Sequence, residues 1–272
     1  MRRWHWLLAW LVWWPTTLLA NPAVATVDSV RFRNFGIASG LSQVTARAML
    51  QDAQGFMWIG TQDGLNRFDG YNFRVYHRDR RNPSSLSDSH ITALARGDGG
   101  TLWVGTMAGG LNRLDPATDV ITAYRHQPEA PDSLAADSVV ALLRRGDGNL
   151  WIATSGGVLQ RLAPAEAQFT TINPGVDLGV VRSMAEAADG TLWLAGSAGL
   201  WRHRRTDGSW LRIQPQDPEL GDLQAVAVAG DGGLWVATTR NGLVRMGSDG
   251  GVRGRYRRGT GGEGFLPDDQ VR

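Results

Sequence analysis

A phrase built around one tryptophan recurs five times in this chain. The copies read Gly55-Phe-Met-Trp58-Ile-Gly-Thr61, Gly100-Thr-Leu-Trp103-Val-Gly-Thr106, Asn149-Leu-Trp151-Ile-Ala-Thr154, Thr191-Leu-Trp193-Leu-Ala-Gly196 and Gly233-Leu-Trp235-Val-Ala-Thr238. Successive tryptophans are 45, 48, 42 and 42 residues apart. Ten residues before each lies a small residue: Ala48, Ala93, Ala141, Ser183 and Ala225. An arginine follows each at nine or ten residues: Arg67, Arg113, Arg161, Arg202 and Arg245. Five copies with a constant ten-residue offset fix two paired strands per repeat. The turn aspartate drifts against the tryptophan, so packing and not the turn sets the register.

The second copy contains four strand signals, at residues 91–96, 101–106, 111–115 and 121–125, with a hairpin turn expected at Asp98-Gly99-Gly100. A period of 40 to 50 residues with four strands is the signature of a β-propeller. The expected fold is therefore all-β, with about five four-stranded antiparallel blades belonging to an incomplete seven-bladed propeller. The 35 glycines suit the many turns this requires.

Residue types follow from blade stacking. Side chains alternate along a strand, so the tryptophan and the Gly or Ala two residues later share a face. The expectation is that the small residue makes room for the indole. Each indole buries roughly 150–250 Å², on the order of 4–6 kcal/mol before entropy is counted. The five tryptophans read as core. The repeated arginine reads as a structural salt bridge or a solvated stem, and the turn aspartate as decoration.

The start of the chain reads as an export signal. Arg2 and Arg3 precede a largely apolar run over residues 4–14, and Ala23-Val24-Ala25 forms an A-x-A cleavage site. Residues 1–25 are the expected signal peptide and 26–272 the propeller. The apolar run is shorter than the roughly 20 residues that span a bilayer. Without Arg2 and Arg3, 26 arginines face 26 acidic residues, and the arginines are scattered. That balance argues against a nucleic-acid partner. The absence of Cys excludes a disulfide framework, a thiolate metal site and a cysteine nucleophile.

Residues 30–35 read as an orphan fourth strand. Residues 252–256 supply the fourth strand of blade five, and 266–272 read as a link entering a sixth blade. The sequence is thus expected to be cut short, with seven blades requiring roughly 65–80 further residues.

Gly64-Leu65-Asn66-Arg67-Phe68-Asp69-Gly70-Tyr71, the tryptophan phrases and the link Asn82-Pro83-Ser84-Ser85-Leu86-Ser87-Asp88 resemble the two-component regulator propeller family. The resemblance runs from about residue 30 to 272. Gly196 departs from it, where Thr is usual, as does the longer turn at residues 52–55. It implies the periplasmic input half of a membrane receptor, whose histidine kinase or diguanylate cyclase output lies beyond this chain. Homodimerisation through the full receptor and membrane attachment through downstream segments are implied with it.

Propeller ligands sit near the axis, where the first strand of each blade begins. Residues thirteen and eleven before each tryptophan lie there and differ between blades, as a recognition surface would. Arg47, His90, Arg182, Asp222 and Gln224 are the candidate ligand-binding residues, for an unidentified small molecule or saccharide. No cofactor, metal site or catalytic group is expected. His77, His90, His126 and His203 show no metal-ligand spacing, and no carboxylate pair is marked as an acid–base couple. Two rival readings are a propeller lyase or glycosidase and a scaffold that binds only protein.

Overall fold

The computed structural model describes residues 33–164, 168–213, 220–259, 266 and 268–271. The expected signal peptide and residues 30–32 of the orphan strand lie outside that set. Arg33, Asn34 and Phe35 carry no strand, so the described part of the orphan segment does not form one. Residues 35–272 form a compact unit.

Among the described residues, twenty strands make five separate four-stranded antiparallel sheets, each in simple chain order. Blade one comprises β1 (Ala46–Gln51), β2 (Met57–Thr61), β3 (Gly64–Phe68) and β4 (Phe73–Tyr76). Blade two comprises β5 (Ile91–Arg96), β6 (Leu102–Thr106), β7 (Leu111–Asp115) and β8 (Val120–Tyr124). Blade three comprises β9 (Val139–Arg144), β10 (Leu150–Thr154), β11 (Leu159–Leu162) and β12 (Phe169–Thr171). Blade four comprises β13 (Val181–Glu186), β14 (Leu192–Gly196), β15 (Gly199–His203) and β16 (Trp210–Ile213). Blade five comprises β17 (Leu223–Val228), β18 (Leu234–Thr238), β19 (Leu243–Met246) and β20 (Val252–Tyr256). The expected propeller of five four-stranded blades is what forms. The Asp98–Gly100 segment forms a tight turn between β5 and β6, with Gly99 and Gly100 at φ 62° and 83°.

Four apolar cores lie between successive blades. The core between blades one and two joins Trp58 and Leu65 to Leu86, Ile91 and Val104. Equivalent residues of the later blades build the other three. Trp58, Trp151 and Trp193 are buried, whereas Trp103 and Trp235 are half-buried. The small residue two positions after the tryptophan has a different duty from the one expected. A Cβ on Gly60 would lie 2.5 Å from Ile91 Cγ2, and one on Gly105 would lie 2.7 Å from Val139 Cγ1. It clears space for the next blade's first strand, not for its own indole.

The arginines opposite the tryptophans do more than expected in four blades, while Arg161 is the expected exposed stem. Arg67, Arg113, Arg202 and Arg245 lie over their blade's indole at 5.2–6.0 Å, as cation–π partners. Among the described residues, Arg245 is the one of these four that adds an ion pair, with Asp231. In blade three Arg145 takes the place over Trp151 at 5.2 Å. Asp52 is more than decoration, because its Oδ2 accepts the Trp58 indole N–H at 2.7 Å.

Each link between blades carries one buried leucine: Leu41, Leu86, Leu134, Leu178 and Leu220. In the first three blades a buried amide from the third strand holds the residue that follows. Asn112 Oδ1 accepts the Ser87 N–H at 3.0 Å, and its Nδ2 donates to Ser87 Oγ at 2.8 Å. Asn66 treats Ser42 likewise, and Gln160 accepts the Ala135 N–H. After blade five, Asp269 repeats the contacts of Asp137: its carbonyl accepts the Gly242 N–H as that of Asp137 accepts Gly110.

Candidate functional site

The first strand of every blade contains the same irregularity. Ala46 pairs with Thr61 and Ala48 with Gly60, so Arg47 is an extra residue with no partner opposite. Thr92, Val140, Arg182 and Gln224 are the extra residues in the other four blades. These are β-bulges, which re-aim a side chain and sharpen local twist. All five bulged residues line one cavity of about 710 Å³ at the start of the first strands. Thr45 and Ser138 add hydroxyls to its wall, and Met49 and Met107 add apolar surface.

Arg47, Arg182 and Gln224, three of the five residues expected at the site, therefore share this cavity. His90 and Asp222 are not among its lining residues. His90 is half-buried, and its carbonyl accepts the Met107 N–H at 3.0 Å. Asp222 is drawn aside by an ion pair, its Oδ2 lying 3.4 Å from Arg182 Nη2. Thr92, which pattern reading did not single out, donates to the Val139 carbonyl at 2.6 Å and ties blade two to blade three. Arg182 ties blade four to blade five in the same way, through the Leu223 carbonyl at 3.2 Å. Gln224 Nε2 donates to Thr239 Oγ1 at 3.0 Å.

Chemically, the wall offers two guanidinium groups, hydroxyls and an amide. Among the described residues no carboxylate lines the cavity, and no group of three or more His, Asp or Glu is placed to hold a metal ion.

A family model described as the two-component regulator propeller matches residues 40–63, 85–108 and 133–156. Each match runs from a leucine-bearing link through the second strand of blades one, two and three. Three segments of the chain are thus similar to the two-component regulator propeller repeat. Within the matched segments the leucines Leu41, Leu86 and Leu134 are buried and Trp58, Trp103 and Trp151 pack between blades, while the amides Asn66, Asn112 and Gln160 and the arginines Arg67 and Arg113 lie outside those segments.

Over 71 residues the chain is 37% identical to histidine kinase P4 of Formosa agariphila, covering 26% of this chain and 5% of that one. The extracellular domain of the hybrid two-component system BT3049 of B. thetaiotaomicron has a similar fold. Its TM-score is 0.66 at 23% identity, covering 88% of this chain and 38% of that one. A virginiamycin B lyase of Staphylococcus aureus shares the fold with a TM-score of 0.61 at 17% identity, covering 79% of this chain and 71% of that one. The chain thus spans a small part of the kinase and under half of the BT3049 domain. Among the described residues no helix is long and apolar enough to cross a membrane.

Proposed function

We propose that this propeller is the exported, periplasmic sensing module of a transmembrane two-component receptor. The axial cavity is its ligand site. The output is a histidine kinase or diguanylate cyclase carried elsewhere in the receptor, with the likeness to histidine kinase P4 favouring the kinase. The observation that carries the reading is the convergence of five bulged residues, one per blade, on a single open cavity. Bulges are features placed to aim side chains. Here the aimed residues differ between blades, while the packing residues beside them repeat. A structural scaffold has no need of that combination.

The lyase sharing this fold keeps a catalytic reading in view, since fold alone does not fix function. The described residues supply no metal-ligating cluster, and the cavity supplies no acid–base pair. We read the chain as non-catalytic.

Two measurements test the proposal. Alkaline phosphatase joined after Tyr256 should be active in intact cells, and an inactive fusion counts against export. Thermal melting of the full chain against a panel of metabolites, sugars and peptides should give a saturable upward shift with one class. A fixed protein partner with no small-molecule shift would favour the scaffold. Turnover of a substrate would favour the enzyme.

A further inference from the structure

Among the described residues the cavity wall carries two positive charges and no negative one. We infer that the axial site takes a small oxyanion-bearing solute, and that Asp222 holds the position of its charge until it arrives. This inference rests on the cavity being the ligand site.

Arg47 is exposed, lies on the bulge of blade one and makes no ion pair among the described residues. Arg182 projects from the bulge of blade four. Its two contacts, to the Leu223 carbonyl at 3.2 Å and to Asp222 at 3.4 Å, are both long. Charge-assisted contacts of this kind normally close to about 2.7–2.9 Å. The Asp222 side chain is half exposed, at 50%. An exposed pair of this sort is weak, so a competing anion displaces it at small cost.

A guanidinium presents a planar fork of N–H donors that matches carboxylate or phosphate oxygens. Ser138 and Gln224 supply further hydrogen-bonding capacity around it. A volume of about 710 Å³ suits a small organic solute. Arg182 also bridges blades four and five through Leu223 and Asp222. An anion that draws Arg182 toward the axis therefore alters an inter-blade contact, which gives binding a structural consequence.

The test is calorimetric titration of the full chain with inorganic phosphate, citrate, glucuronate and, as the neutral control, glucose. At least one anion should bind saturably, and binding should weaken as ionic strength rises through about 0.1 M. Arg47→Gln should weaken it about tenfold or more, and Arg47→Lys should recover part of the loss. Asp222→Asn should do the opposite and tighten binding about two- to fivefold, because the internal competitor is gone. A merely structural Asp222 would give no such gain. Phosphate binding alone would identify a phosphate ligand, and binding of citrate or glucuronate a carboxylate. Equal binding of glucose and glucuronate would overturn the anion inference and leave the cavity as a ligand site. Silence from all three anions, or anion binding indifferent to Arg47→Gln and Asp222→Asn, would also overturn it. The metabolite panel above separately decides whether the propeller senses anything.

Discussion

Blade four shows how one atom position can overrule a repeat. In blades one, two, three and five a buried threonine ends the second strand: Thr61, Thr106, Thr154 and Thr238. Its hydroxyl donates across the following turn, as Thr106 Oγ1 does to the Gly110 carbonyl at 2.8 Å, and there also accepts the Gly109 N–H at 3.0 Å. Blade four has Gly196 instead. A Cβ there would sit 2.0 Å from the Val180 carbonyl oxygen, far inside contact distance. Gly196→Thr restores the repeated residue and is expected to destabilise the protein by about 1–3 kcal/mol, through overpacking. Urea unfolding of the variant checks this, and a neutral or stabilising result would contradict the close approach. Thr106→Gly is expected to destabilise by a similar amount, because it strips two buried hydrogen bonds.

At the scale of elements, the link and the third strand act together. Asn112 is fully buried and spends both ends of its amide on Ser87. Asn112→Leu keeps the volume but leaves the Ser87 N–H without its acceptor. It should cost about 1–3 kcal/mol and loosen the link between blades one and two, seen as faster hydrogen exchange at Ser87. Blades four and five have Trp201 and Val244 at the equivalent place, opposite Leu194 and Val236, and neither residue carries an amide side chain. Much of this architecture was legible in the sequence. The tryptophans and the small residues ten positions earlier report strand pairing directly, because bulk and its absence must alternate with the packing. The 91–96 and 252–256 strands lie where the pattern puts them. The bulges were not legible. A bulge is set by which backbone N–H meets which carbonyl, and side-chain type records that only faintly. Strict alternation would treat the positions thirteen and eleven before the tryptophan alike. All five residues at minus eleven line the cavity, as do Thr45, Ser138 and Val180 at minus thirteen, whereas His90 does not and Asp222 pairs with Arg182.

For the molecule as a whole, stability is a chain of blade-to-blade interfaces, each touching only its neighbours. The interface between blades three and four contains a titratable group, and pH should therefore act there. His203 of β15 lies against Trp210 of its own blade at 4.4 Å between ring centroids, and 5.9 Å from Trp151 of blade three. Its Nδ1 is buried without a hydrogen-bond partner. Burial, and then the nearby Arg145 guanidinium, push its pKa below the ordinary 6.5, and Asp207 opposes them only in part. Arg145 is held in place by Glu186 at 2.9 Å and is itself buried, so it cannot swing away when the imidazole charges. The unfolded chain thus takes up the proton first. His203 contributes its full share of stability above about pH 6.5, and loses it as pH falls through that value toward the lower folded pKa. Most of the aspartates whose pKa values are depressed by turn hydrogen bonds, such as Asp189, lose their share only at lower pH. Urea unfolding at pH 7.5 and 5.5 separates the two ranges. The native chain should lose stability over that interval, and His203→Phe, which keeps a ring against both indoles, should lose clearly less. An unchanged pH dependence in the variant would mean that the inter-blade imidazole does not govern acid sensitivity.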